Sequence, residues 1–155
     1  MPKPDIELLI NAPNINNSII QVDNYICELC EWGEKLSNLN QAQQIFYFNQ
    51  NLEREVNNGG FNNYFLNSAG NFAHETIKSL QAIGANHTSK LLQQAMDEFP
   101  ANKVPIDRSI RQKLVMEFPK EVKDKWHNLD NNFFEYKDDL NSLNMNYVKD
   151  NKKLF

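Results

Sequence analysis

From Val22 to Val148 the apolar residues recur every three or four positions, and no stretch alternates apolar with polar cleanly enough to make a strand. Only "FNNYF" (61–65) fits either period. This rhythm constrains the chain more than any other feature. It calls for amphipathic helices packed face to face and leaves little for a sheet to be built from. The expectation is an all-α protein, a single compact multi-helix domain of about seven to eight helices, which suits a length of 155 residues. Residues 1–18 carry three of the six prolines and read as an irregular lead-in, 19–150 as the helical domain, and 151–155 as a tail that frays.

The stripes locate the helices. Val22, Ile26, Leu29, Cys30, Gly33 and Leu36 predict a helix over 22–37, with Asp23, Glu28, Glu31 and Glu34 mostly off its apolar face. Ile45, Phe48, Leu52 and Val56 predict a second over about 40–57. "NNGG" (57–60) should end it, because Asn and Gly tolerate the left-handed conformation that closes a helix. Phe61, Tyr64 and Phe65 resume the period over about 61–69. Further helices follow at about 72–84 and 87–99, then after the loop "ANKVPID" from Asp107 or Ser109, then with Pro119 as a first helical residue, and over Leu140 to Val148.

Little in this sequence points to catalysis. It contains no P-loop, GxGxxG, GxSxG or HExxH. "CELC" places Cys27 and Cys30 inside an amphipathic helix, without the strand context of a redox motif or the second pair of a zinc site, so both read as core residues. The three histidines are scattered. No metal and no cofactor are expected. Around "EREVNNGGFNNY" (53–64) only Glu53 and Glu55 among the polar side chains could serve as acid or base, and a separation of two residues puts them on different helix faces. A corner between helices is the simpler reading, with the amides of Asn57, Asn58, Asn62, Asn63 and Asn67 satisfying open helix ends.

Charge is unevenly spread. Residues 1–77 hold 9 acids and 3 bases, whereas 78–155 hold 11 acids and 13 bases, for a net charge of −4. An acidic front argues against direct nucleic-acid binding. No run approaches the roughly 20 apolar residues of a membrane span, and the N-terminus lacks a signal-peptide pattern, so a cytoplasmic protein is expected.

The corner also carries a resemblance. "EVNNGGFNNYFLNSAG", then "SLQAIGA", then "FP…DRSIR", resembles the bacterial DNA-mimic protein (DMP) domain family, helical domains formerly of unknown function, over roughly residues 40–150. Glu55, Asn57, Gly59, Gly60, Phe61, Tyr64, Phe65, Asn67 and Gly70 match its pattern, and "LDNNFFEYKDDL" is similar to its acidic C-terminal helices. The resemblance implies an all-α fold and a non-enzymatic role, in which a homodimer displays carboxylates that imitate DNA phosphates and occupies a basic DNA-binding regulator. Asp23, Glu28, Glu31, Glu34, Asp138 and Asp139 are the candidate partner-binding residues. Glu55, Asn57, Asn58, Gly59, Gly60, Phe61, Tyr64 and Asn67 form the structural corner. An immunity or antitoxin protein that blocks a toxin is the alternative of the same class, and a small hydrolase-like enzyme using Glu53 or Glu55 is the alternative of another.

Overall fold

The computed structural model describes residues 1–155 and contains helices and turns but no strand. Its eight α-helices are α1 (Ile6–Ile10), α2 (Ile15–Leu29), α3 (Gln41–Leu66), α4 (Ala73–Ala82), α5 (Asn86–Met96), α6 (Arg108–Glu117), α7 (Lys120–Phe134) and α8 (Leu140–Asp150). The fold class and helix count expected from periodicity are those observed.

Both chain ends depart from the sequence reading. The supposed lead-in is helical, because Asp5 accepts from the Leu8 backbone N–H at 3.1 Å and Asn14 from that of Asn17 at 3.0 Å, so the polar residues cap helices. The expected helix at 22–37 begins earlier and stops at Leu29. Glu31, Trp32 and Gly33 then take left-handed φ values of 50°, 57° and 100°. Gly33 lies so close to Tyr47 that a Cβ would stand 2.6 Å from its hydroxyl oxygen. The tail does not fray, since Phe155 is buried with its ring centroid 5.8 Å from that of Phe46.

α3 is the spine. It opens with a reciprocal cap, Gln43 N–H to Asn40 Oδ1 at 3.0 Å and Asn40 N–H to Gln43 Oε1 at 3.1 Å. Along its length it serves two hydrophobic clusters. One gathers Phe46 and Phe48 with Ile6, Leu9, Ile19, Val22, Ile26 and Phe155. The other gathers Leu52, Val56, Phe61, Tyr64 and Phe65 with α4, α5 and α7. In the second, Trp126 stacks on Phe65 with centroids 5.0 Å apart, Phe99 and Phe118 meet its ring, and its indole N–H donates to the Ala95 carbonyl at 3.1 Å. The phenylalanine-rich composition thus fills this aromatic centre.

Candidate functional site

"NNGG" interrupts the helix, as expected: α3 consists of two helical arms, and the break between them lies at Gly59 (φ −172°, ψ 22°) and Gly60 (φ 74°, ψ −173°), after which the second arm runs to Leu66. Gly59 is extended backbone open to any residue, whereas Gly60 occupies a region essentially restricted to glycine. Of the four residues of "NNGG", only Gly60 takes the left-handed φ. The kink frees the Phe61 N–H from the helix ladder, and Asp130 of α7 accepts it at 2.8 Å. The same Asp130 carboxylate fills the space a Cβ at Gly60 would take. Burial raises the Asp130 carboxyl above its ordinary value, and the Phe61 N–H partly offsets the shift.

A carboxylate spans the bend. Glu55 Oε2 accepts from Asn63 Nδ2 at 2.5 Å and from Asn67 Nδ2 at 2.7 Å, which ties the arm before the kink to the arm after it. Asn63 also donates to the Glu55 carbonyl at 3.2 Å, an open helix-end group as expected, while Asn57, Asn62 and Asn67 act on side chains. Asn57 donates to the Tyr136 hydroxyl at 2.8 Å, and Asn62 accepts from Lys123 at 2.9 Å. Asn58 is exposed, whereas Phe61, Tyr64 and Phe65 are fully buried.

The strongest clamp at this end went unread in the sequence. Arg111, in the quoted "DRSIR", is completely buried and donates to the carbonyls of Phe65 (2.6 Å), Pro105 (2.8 Å), Ile106 (3.1 Å) and Asn67 (2.8 Å) and to Asn71 Oδ1 (2.8 Å). Burial lowers its pKa, and no carboxylate contacts it. Gly70 is glycine because a Cβ would stand 2.8 Å from Arg111 Nε and 2.9 Å from the Tyr64 carbonyl.

Beside the kink, α3 also borders a polar cleft of about 200 Å³, lined in part by Gln50, Glu53, Arg54 and Asn57. Glu53 and Glu55 do occupy different faces, as their spacing required. Burial raises the Glu53 carboxyl above its ordinary value, and the Tyr136 hydroxyl, 3.1 Å from Oε1, partly opposes this. Tyr136 itself is pushed up to about 12 by burial.

The six acidic candidates do not form one patch. Asp138 caps α5, accepting from the Thr88 N–H at 2.7 Å and its hydroxyl at 2.9 Å. Asp139 caps α8, accepting from the Ser142 N–H at 3.1 Å. Asp23 is half-buried in an ion pair with Arg54 at 2.5 Å. Glu28 pairs with the N-terminal amine at 3.0 Å and Glu31 with Lys35 at 2.7 Å, both at the surface, and Glu34 is exposed. Glu28 near the end of α2, and Glu31 and Glu34 in the turn that follows, are exposed, as is Trp32 in the same turn, at 64%. That turn contradicts the expected mid-helix setting for Glu31 and Glu34.

Cys27 and Cys30 are both free and fully buried, so Cys27 is as much a core residue as Cys30. Burial pushes the Cys27 thiol up to about 12, opposite to the shift a redox cysteine needs.

No curated protein and no solved structure matches the chain. A family model described as DMP19-like protein matches residues 37–151, which takes in the kink, the Glu55 and Arg111 clamps and every helix from α3 to α8. The chain belongs to the DMP19-like protein family.

Proposed function

We propose that this chain is a non-enzymatic, cytoplasmic protein-binding domain that offers the acidic turn after α2 to the basic surface of a DNA-binding protein. The observation that carries this reading is the exposed Trp32 with Glu28, Glu31 and Glu34 exposed on either side of it in the chain. Exposed carboxylates attract a basic surface as phosphates do and mainly speed encounter, while an exposed tryptophan supplies contact area and stacks on arginine. Mimicry of DNA, and the dimer that accompanies it, come from the family resemblance. A toxin with a basic surface is the rival occupant of this face.

The test is capture on the immobilised chain at low salt, elution with rising salt, and competition by duplex DNA for the purified captured protein. Mimicry expects DNA and this chain to exclude each other. It also expects Glu28→Gln/Glu31→Gln/Glu34→Gln to slow association and flatten its salt dependence. Unaltered kinetics in the triple variant, or a ternary complex with DNA, would sink the reading. Exclusion by the chain of a protein that does not bind DNA would favour the toxin.

The enzymatic alternative narrows to one residue. Glu55 is held by two amides, whereas Glu53 lies at a cleft with a raised pKa, as a general acid requires. A hydrolase screen in which Glu53→Gln abolishes turnover of any substrate would carry that reading over the first.

A further inference from the structure

The face of α3 that meets α2 is polar where a helix seam is ordinarily apolar. Gln50, Glu53, Arg54 and Asn57 stand at i, i+3, i+4 and i+7 and border the cleft together with Asn16 and Asn141. Arg54 is held by Asp23 and Asn51, and Asn57 by the Tyr136 hydroxyl. Asn141 donates to Asn16 at 2.9 Å. Two groups differ from these. No protein group pairs with Gln50 Nε2 or Glu53 Oε2, although both atoms are buried. The Gln50 residue is only 9% exposed. The other Glu53 oxygen is fixed by Tyr136, which leaves Oε2 as the one that needs a partner.

The two unpaired atoms are of opposite kind. Gln50 lacks an acceptor and Glu53 lacks a donor, one turn apart on one helix, so the matching ligand carries an acceptor beside a donor. An ammonium would satisfy Glu53 alone, and a carboxylate would meet the charge of Glu53. The volume of about 200 Å³ is many times the roughly 10–15 Å³ that a single water needs. We propose that this cleft binds a primary carboxamide, whose carbonyl oxygen accepts from Gln50 and whose N–H donates to Glu53. Both atoms are buried while their residues line the cleft, so binding requires the two side chains to turn towards the ligand. The carboxamide is either a free small molecule such as glutamine or the end of a glutamine side chain on a bound peptide.

The experiment titrates the ¹⁵N-labelled whole chain with acetamide, L-glutamine and a blocked Gly-Gln-Gly peptide, following the side-chain amide signals of Gln50, Asn57 and Asn141. Saturable shifts centred on Gln50 are expected with carboxamides and not with n-propylamine or propionate. Gln50→Met and Glu53→Met should each weaken binding about tenfold while the thermal midpoint holds or rises, since each removes an unpaired buried group. If either variant fails to fold, Ile20→Trp blocks the mouth from a position 56% exposed, with the same loss expected. Tighter binding of free glutamine assigns a small-molecule site, and tighter binding of the peptide assigns a peptide side chain. A flat titration up to about 100 mM acetamide, far above any specific Kd, would overturn the proposal and leave the cleft to water. So would equal shifts with propylamine, or undiminished shifts in the variants.

Discussion

Replacing Gly60 by alanine tests the account of the kink, because two independent costs meet at that residue. Gly60 sits at φ 74°, ψ −173°, where a residue with a Cβ is strained by about 1–3 kcal/mol. The added methyl also falls on the Asp130 carboxylate, which must withdraw from the Phe61 N–H it accepts at 2.8 Å. Loss of a part-buried hydrogen bond to a charged group adds about 1.5–3 kcal/mol. A total near 4 kcal/mol corresponds, for a domain of this size, to a Tm lower by roughly 12 °C. Gly59→Ala is the control. Its backbone at φ −172° is open to any residue, and its Cβ meets only the Asn63 side chain at 2.8 Å, so a cost of about 1 kcal/mol is expected as Asn63 loosens from Glu55. Asp130→Ala separates the two terms. In the Gly60→Ala background it removes the clash, so the double variant should lose about 1.5–3 kcal/mol less than the sum of the singles. Urea unfolding of the four proteins completes the cycle. A Gly60→Ala cost within about 0.5 kcal/mol of zero, a larger cost for Gly59→Ala, or strict additivity with Asp130→Ala would each refute the reasoning.

Arg111→Lys should destabilise the fold by about 2–4 kcal/mol in urea titrations, because an ammonium cannot reach the five acceptors the guanidinium serves; a neutral outcome would mean the clamp is redundant. Burial holds the Glu53 carboxyl above its ordinary 4.5, so the folded chain keeps a proton there that the unfolded chain releases. The stability from this group is full below pH 4.5 and is lost as pH rises from there through the folded pKa. Glu53→Gln should therefore raise Tm over wild type above the folded pKa, with the gain shrinking as pH falls through the folded pKa towards 4.5 and absent below it, and a gain independent of pH would contradict this. Neither cysteine should react with DTNB until the chain unfolds, given two fully buried thiols; fast labelling of the folded chain would place one at the surface.

What the sequence disclosed is what depends on near neighbours. The stripe Ile45, Phe48, Leu52, Val56 reported α3, and Asp107 and Pro119 marked real helix starts. The rest depends on partners distant in the chain. Gly59 and Gly60 are indistinguishable in sequence; a Cβ at Gly59 would press on Asn63, four residues on, whereas Gly60 combines a left-handed φ with the carboxylate of Asp130, seventy residues away. Asp138 and Asp139 look like one acidic pair, yet they cap two different helices. Gly33 fell on the apolar period by coincidence: it lies beyond the end of α2, in a left-handed turn where a Cβ would meet the Tyr47 hydroxyl. Arg111 was visible only as a charge in an amphipathic helix, because its acceptors are mostly backbone carbonyls, which leave no signature in residue types.

Because α3 is shared between two clusters, the two halves of the molecule need not open together. The cluster around Phe46 is assembled from the two ends of the chain, with α1 and α2 on one side and Phe155 on the other. The cluster around Trp126 is built from α3 to α7 together with Leu140 at the start of α8. Native-state hydrogen exchange should therefore separate two populations of amides. Those of α4, α5 and α7 should exchange only through global unfolding, and those of α1 and α2 through a partial opening that lifts them from α3. Glu28, Glu31, Glu34 and Trp32 ride on the less protected unit. A protein gripping that turn would slow exchange first in α1 and α2, while the amides around Trp126 keep their rates, so the location of a docked partner could be read from exchange rates alone.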